Sequence, residues 1–137
     1  MIFLDASAIV AILAEEAESD MLLDSLEQDP SHSTSPLAVF EAVAALARKR
    51  RVAVEQAEAT VRDFLARAGV EVLSLTDKDA DTAITAFSRY GKGRGHPAQL
   101  NLGDCFAYAM AKNHRCALLY KGNGFAETDV RSAAGLR

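Results

Sequence analysis

Short apolar runs alternate with amphipathic stretches along most of this chain. Residues 1–5, MIFLD, form an apolar run that predicts a buried strand, and ASAIVAILAEEA follows with apolar residues at helical spacing. Ser35 and Pro36 are typical of a helix start, and Gly69 is typical of a helix end. We predict strands over residues 1–5, 32–35, 70–75 and 116–120, and helices over 6–17, 18–28, 36–51, 54–69, 77–91 and from about 103.

The alternation of strands and helices predicts an α/β fold with a parallel sheet and helices on both faces. The 137 residues contain no repeat or linker that would divide them, so we expect a single domain over residues 1–137. Sites in such sheets lie outside the carboxyl ends of the strands. Asp5 is predicted to lie at one of these ends.

Three carboxylates stand alone in apolar surroundings. Asp5 is the only charged residue in positions 1–14, Glu41 the only one in 36–47 and Asp104 the only one in 97–111. An unpaired buried carboxylate costs at least a few kcal/mol. Asp5 and Asp104 have an alternative interpretation as helix-capping residues, and Glu41 has one as the partner of a buried basic residue.

A shared divalent cation would explain all three carboxylates together. Mg²⁺ and Mn²⁺ prefer oxygen ligands, and a bound ion of this kind can polarise a phosphodiester and activate water. Ser7 and Asn101 lie within three positions of an acid and are candidates to orient the ligands or a water. Their alternative roles are N-capping and turn formation.

The net charge of −4 argues against nucleic-acid binding by bulk charge, but it leaves room for a local basic edge. Candidate RNA contacts are Arg89, Lys92 and Arg94, before Asn101, and Lys121 after the last strand; a solvated loop is the alternative for the first group. The basic run 48–51 is interpreted as complementing a helix end. The two cysteines are predicted to be buried free thiols, and the absence of a signal peptide or membrane-spanning run predicts a cytoplasmic protein.

Four segments together resemble the PIN-domain ribonucleases, and within that family the VapC toxins of toxin–antitoxin pairs. The resemblance implies a three-layer α/β/α fold with a small parallel sheet of four or five strands. It also implies a Mg²⁺-dependent endoribonuclease, with Mn²⁺ as a possible substitute, that forms a homodimer and is inhibited by a VapB-type antitoxin. The family's acidic positions fall on Asp5, Glu41 and Asp104, and Asn101 is the asparagine of its Asn-x-Gly-Asp-Cys motif. The segments are FLDASAIVAIL, PLAVFEAVAAL, RYGKGRGHPAQLNLGDCFAYAMAK and LLYKGNGFAETDV.

One position departs from the family pattern. Gly124 stands where the family commonly has a fourth aspartate, and Asp129 is a possible helper whose alternative role is a cap or turn. If the fourth position is simply vacant, Gly124→Asp is expected to raise activity or metal affinity. Two alternatives stay open: an attenuated PIN module that binds RNA or a partner, and a phospho-accepting receiver domain centred on Asp77. The receiver gives no reason for Glu41 and Asp104, and the sequence does not specify the RNA or the cut site.

Overall fold

A single parallel sheet forms the centre of the molecule. The computed structural model describes residues 1–134, and residues 135–137 of the predicted domain lie outside it. The strands are β1 (Ile2–Leu4), β2 (His32–Thr34), β3 (Val70–Val72) and β4 (Ala117–Leu119). They are hydrogen-bonded in the order β3-β2-β1-β4, and every pair is parallel. The predicted parallel α/β sheet is confirmed, with four strands in the described chain.

Within residues 1–134, six helices and one short 3₁₀ turn connect and follow these strands. Two predicted elements are shorter than expected. The first helix ends at Leu13 because Glu15 adopts a left-handed backbone, with φ of 54°. β3 ends at Val72 because its partner β2 ends at Thr34, just before the residue that caps the next helix. The helices are α1 (Ala6–Leu13), α2 (Ser19–Glu27), α3 (Pro36–Arg50), α4 (Val54–Arg67), α5 (Asp77–Tyr90) and α6 (Leu102–Asn113), with the 3₁₀ turn at Phe125–Glu127.

The alternation of side chains along β1 divides the interior into two cores. Ile2 and Leu4 pack into one cluster with buried residues of α1, α2, α3 and α4. Phe3 points to the opposite face and packs with buried residues of α5 and α6. Because successive strand residues face opposite sides of a sheet, three residues of β1 suffice to hold both helical layers. This is the three-layer arrangement that the resemblance implied.

The helices next to the central strands begin at side-chain caps. Asp5 caps α1, Ser35 caps α3 through a bond from the Ala38 amide, and Asn101 caps α6. Pro36 occupies the first turn of α3, as predicted. Each of these helices therefore starts at a fixed position relative to the sheet. No helix within residues 1–134 has the length and apolar character needed to cross a bilayer.

Candidate active site

The three isolated carboxylates lie in one pocket at the carboxyl end of β1. Asp5 follows β1, Glu41 is on α3, and Asp104 is in the first turn of α6. All three line a pocket of about 480 Å³. We call it the acidic pocket. The topology thus brings together three acids that lie far apart in the sequence.

Asp5 is both a helix cap and a member of this pocket. Its side chain is 5% exposed, and Oδ2 accepts a hydrogen bond of 3.0 Å from the Ser7 amide. Burial raises the pKa of Asp5 to about 6, and the nearby charge of Asp104 contributes in the same direction. The capping interpretation is therefore confirmed, but it does not remove the unfavourable electrostatics of this carboxylate.

Asp104 is held by a reciprocal capping box with Asn101. The Asn101 amide donates to Asp104 Oδ2 at 3.0 Å, and the Asp104 amide donates to Asn101 Oδ1 at 2.9 Å. Burial raises the pKa of Asp104 despite the bond from Asn101. Asn101 consequently fixes the rotamer of Asp104, so its capping role also serves to position the acid.

Glu41 lies in the middle of α3, where no capping role is available. It forms no ion pair within residues 1–134, so the alternative of a buried basic partner is wrong for the described chain. Burial raises the pKa of Glu41 to about 7, and repulsion from Asp5 and Asp104 adds to the effect. The three carboxylates are therefore close enough to influence one another's ionisation.

Gly103 is the neighbour that lets Glu41 reach the other acids. A Cβ atom added at Gly103 would overlap the carboxylate of Glu41. The first turn of α6 thus has to present bare backbone to α3 at this point. This contact gives a physical reason for a glycine directly before Asp104, which the sequence pattern alone did not indicate.

The acidic pocket suits a divalent cation in donor type and in charge. Its acids supply only oxygen, and a cation would offset the burial, and the smaller mutual repulsion, that raise the pKa values of Asp5 and Glu41. However, no three Asp, Glu, His or Cys side chains among residues 1–134 already form a group arranged to hold an ion. Asp5, Glu41 and Asp104 are the acids of this pocket that would hold such an ion.

Three basic side chains border the acidic pocket, and two of them were not predicted. Lys121 lines the pocket as expected, together with Arg48 and Lys49 from the end of α3. The basic run 48–51 had been interpreted only as a helix end. The helical spacing could have predicted this placement, because positions 48 and 49 lie seven and eight residues after Glu41 and so share its face.

The remaining predicted RNA contacts lie elsewhere on the surface. Arg89 is placed over the ring of Tyr90 and Arg94 over the ring of Phe87, both of which belong to α5. Lys92 lies two residues after the end of α5, and its amide donates to the Leu100 carbonyl at 2.8 Å. None of the three lines the acidic pocket. Their contact with RNA stays a prediction.

Ser7 joins two strand ends at the mouth of the acidic pocket. Its amide binds Asp5, and its hydroxyl accepts a bond of 3.0 Å from the Lys121 amide. Ser7 therefore fixes the start of α1 relative to the residue that follows β4. The predicted orienting role agrees with this position.

Asp129 does not approach the three acids. Its Oδ1 accepts a bond of 2.6 Å from the Tyr108 hydroxyl, and its Oδ2 lies 3.2 Å from Lys112 Nζ. The Tyr108 bond, followed by that of Lys112, keeps the pKa of Asp129 low. Asp129 does not line the acidic pocket, so its expected role as a helper acid is corrected to a structural one.

The expectation for Gly124 also needs correction. A Cβ at Gly124 would lie 2.9 Å from the carbonyl oxygen of Ala98, which is closer than ordinary contact. An aspartate there would displace backbone before adding a carboxylate. Gly124→Asp is therefore not a simple restoration of a fourth acid. The cysteine prediction, in contrast, is confirmed, since Cys105 and Cys116 are buried free thiols.

Comparison with known proteins identifies the family. A family model described as the PIN domain matches residues 2–131. The chain belongs to the PIN-domain family. This membership excludes the receiver-domain alternative.

Several curated PIN-domain proteins are similar over nearly their full length. A VapC ribonuclease of Rhizobium meliloti is 43% identical over 141 residues, which cover 95% of this chain and 99% of that protein. Ribonuclease VapC42 of Mycobacterium tuberculosis is 36% identical over 129 residues, which cover 94% and 96%. This PIN-domain chain therefore groups with the VapC proteins.

Two solved structures share the PIN-domain fold. VapC20 of Mycobacterium tuberculosis, a sarcin-ricin loop cleaving toxin, superposes with a TM-score of 0.75 at 16% identity, covering 95% of this chain and 96% of that one. A toxin–antitoxin complex from Klebsiella pneumoniae gives a TM-score of 0.66 at 19% identity, covering 92% and 91%. At these identities the likeness concerns the fold alone.

Proposed function

We propose that this protein is the toxin of a VapBC-type toxin–antitoxin system and acts as a metal-dependent endoribonuclease. Mg²⁺ is the proposed cofactor, with Mn²⁺ as a substitute, and Asp5, Glu41 and Asp104 are the proposed ligands. The observation that carries the proposal is the convergence in one pocket of three acids that form no ion pair within residues 1–134, in a chain grouped with VapC ribonucleases.

The chemistry follows from the acids and their supports. A divalent ion held here would supply Lewis acidity toward a phosphodiester and lower the pKa of a water. Asp5 and Asp104 are held by helix-start hydrogen bonds, so they need little rearrangement on binding. Glu41 is half-buried on α3, lies against Gly103 and supplies the third carboxylate. The protein thus presents preorganised negative charge to a cation, and the basic side chains that border the pocket form no ion pair with these three acids within residues 1–134.

Metal-dependent cleavage is the direct test of this function. Purified protein is incubated with single-stranded RNA and Mg²⁺ or Mn²⁺, with and without a chelator, and the products are mapped by sequencing. We expect cleavage only when metal is free. Equal rates in chelator would contradict the proposal. RNA binding without cleavage under any metal condition would instead favour the attenuated PIN module, for which the tightly packed Gly124 is the supporting observation.

An apolar groove beside the acidic pocket supports an antitoxin partner. The groove runs between α3 and α4, has a volume of about 480 Å³, and includes Val39, Phe40 and Val54. Phe40 is 70% exposed and borders both the groove and the acidic pocket. An apolar peptide segment from a VapB-type protein would cover Phe40 and reach the acids from there.

A second apolar surface supports the proposed homodimer. Ile84 and Phe87 of α5 and Leu102 and Phe106 of α6 line a shallow groove, and Leu102 is 70% exposed. Charged substitution of this surface, as in Leu102→Lys, is expected to convert a dimer to monomers in light-scattering measurements. The single-domain organisation of residues 1–137 and the cytoplasmic location belong to the same proposal.

A further inference from the structure

Glu16 joins two lysines at the mouth of the acidic pocket. Its Oε2 lies 2.8 Å from Lys49 Nζ, and its Oε1 lies 2.7 Å from Lys121 Nζ. All three residues line the same pocket as Asp5, Glu41 and Asp104. Each oxygen of one carboxylate thus binds one lysine, directly beside the proposed cleavage centre.

The backbone places Glu16 at this position by a specific helix end. α1 stops in a Schellman motif, in which the Glu15 amide bonds to the Ile12 carbonyl and the Glu16 amide to the Ala11 carbonyl. Glu15 takes the left-handed conformation that usually requires glycine. The chain therefore tolerates local strain at the turn that brings Glu16 to the two lysines.

The lysines come from two other elements with fixed positions. Lys49 lies two turns after Glu41 on the same face of α3. Lys121 follows β4, and its amide is held by the Ser7 hydroxyl. The Lys49 and Lys121 side chains are 50% and 39% exposed, whereas that of Glu16 is 17% exposed. The ammonium groups are thus accessible from the pocket mouth, while the carboxylate lies beneath them.

The balance of charges in the pocket determines how strongly an RNA backbone would bind there. A phosphodiester entering a pocket with three acids is repelled unless positive groups compensate. Lys49 and Lys121 are placed to do so, but Glu16 neutralises them, and Glu18 lies 3.8 Å from Lys121. A phosphate offers two non-bridging oxygens that can replace the two carboxylate oxygens of Glu16, one on each lysine.

We propose that Lys49 and Lys121 form a phosphate subsite for the RNA backbone, and that Glu16 occupies this subsite until RNA displaces it. The inference rests on the proposed ribonuclease function and assigns a binding role within it. Glu16 keeps the two ammonium groups in register while the site is free. It also lowers the affinity for RNA, because its carboxylate competes with the incoming phosphate.

Binding measured without cleavage tests this inference. A labelled single-stranded oligoribonucleotide is titrated with protein in chelator at several salt concentrations, and fluorescence anisotropy reports the affinity. Lys49→Gln and Lys121→Gln are expected to weaken binding, each reducing the slope of log affinity against log salt by about 0.7. Glu16→Gln is expected to tighten binding by about three- to tenfold at low salt. The matched controls are Lys78→Gln and Glu71→Gln, which make the same charge changes at exposed positions of α5 and β3.

If the Glu16 ion pairs serve only to hold the two lysines in place, different results are expected. Glu16→Gln would then weaken RNA binding, because the lysines lose their position. That result, or lysine variants that match the Lys78→Gln control, would overturn the inference. A Glu16→Gln effect that persists when both lysines are glutamine would also overturn it, since the competition requires the lysines. The proposed function is judged separately, from cleavage by the unaltered protein with Mg²⁺.

Discussion

Two helices of this protein begin with the same local device but place their aspartates in opposite environments. Asp79 opens α5 in a capping box with Thr76, and Asp104 opens α6 in a capping box with Asn101. Burial alone would raise the pKa of Asp79, but bonds from Asn113 and Thr76 outweigh it and the pKa is lowered. The pKa of Asp104 is raised. The capping motif is thus purely structural in α5, whereas in α6 it also holds an acid of the acidic pocket.

The difference lies in what the second carboxylate oxygen meets. Asp79 Oδ1 accepts a bond of 2.8 Å from the Asn113 side chain, so the carboxylate is satisfied within the fold. Asp104 uses Oδ2 for its cap and shares its pocket with Asp5 and Glu41. Acids that the fold satisfies stabilise it, whereas acids grouped without basic partners store repulsion that a cation can relieve.

Exchanging each aspartate for asparagine should give the largest contrast. Asp104→Asn is expected to reduce RNA cleavage by about 100-fold or more, since a metal ligand is lost, while stability is kept or raised. Asp79→Asn is expected to lower the free energy of unfolding by about 1–3 kcal/mol, because the bonds from Asn113 and Thr76 lose their anionic acceptor. Cleavage rates and urea unfolding of both variants check this. Equal loss of stability in the two variants would make Asp104 a structural residue.

The pH dependence of stability should separate the same two environments. In metal-free protein burial raises the pKa of Asp5 to about 6. The contribution of protonated Asp5 to the free energy of unfolding is therefore fully present below pH 4 and is lost as the pH rises toward 7. Asp5→Asn keeps a helix cap and should gain up to about 3 kcal/mol over the unaltered protein at pH 7, but little at pH 4.

The contribution of Asp79 to stability should change with pH in the opposite direction. Its pKa is lowered, so its stabilising effect is present above the unfolded pKa and is lost on acidification. The stability deficit of Asp79→Asn should therefore shrink as the pH falls. Urea unfolding from about pH 2 to pH 7 measures both trends, because the Asp79 change falls below about pH 4 and the Asp5 change falls above it. A pH-independent difference between Asp5→Asn and the unaltered protein would contradict the raised pKa that burial, with a smaller contribution from Asp104, gives Asp5 in the acidic pocket.

Alanine substitutions of two glycines should give smaller effects, one on cleavage and the other on stability. Gly103→Ala would push only the flexible end of Glu41, so we expect a cleavage loss of about tenfold with stability unchanged or slightly raised by the helix preference of alanine. Gly124→Ala would press on the Ala98 carbonyl, so we expect a stability loss of about 1 kcal/mol with cleavage per folded molecule retained. If Gly103→Ala leaves cleavage intact, Glu41 does not need its observed position.

The smallest effect is expected at the end of α1. Glu15→Gly should stabilise the protein by up to about 1 kcal/mol, because glycine adopts the left-handed conformation without steric conflict. The position of Glu16 should be unchanged, so RNA cleavage should not change. Thermal unfolding gives the test, and a clear loss of stability would show that Glu15 contributes more than its backbone conformation.

The sequence pattern was sufficient for the sheet and for the three acids, because both depend on local patterning. Phe3 lies between Ile2 and Leu4, and that run of apolar residues predicts a strand buried on both faces. Glu41 stood out because a mid-helix acid in an apolar stretch has no local role. Ser35 was identified as a helix start by the same kind of local chemistry.

Features that depend on tertiary placement could not be predicted in this way. Arg48 and Lys49 were assigned to a helix end, although their spacing from Glu41 places them on its face. Asp129 was considered a helper acid, but the hydroxyl of Tyr108 binds it elsewhere. The steric roles of Gly103 and Gly124 depend on residues distant in sequence, Glu41 and Ala98, and no local pattern reports such contacts.

Direct measurement of metal binding tests the central claim, that Asp5, Glu41 and Asp104 together hold a divalent cation. Isothermal titration with Mn²⁺ at pH 7 is carried out on the unaltered protein, on Asp5→Asn, Glu41→Gln and Asp104→Asn, and on Asp79→Asn as the matched control. The account predicts saturable binding that each of the three pocket substitutions abolishes or strongly weakens and that Asp79→Asn preserves. Absence of binding to the unaltered protein, or equal binding by all four variants, would contradict it.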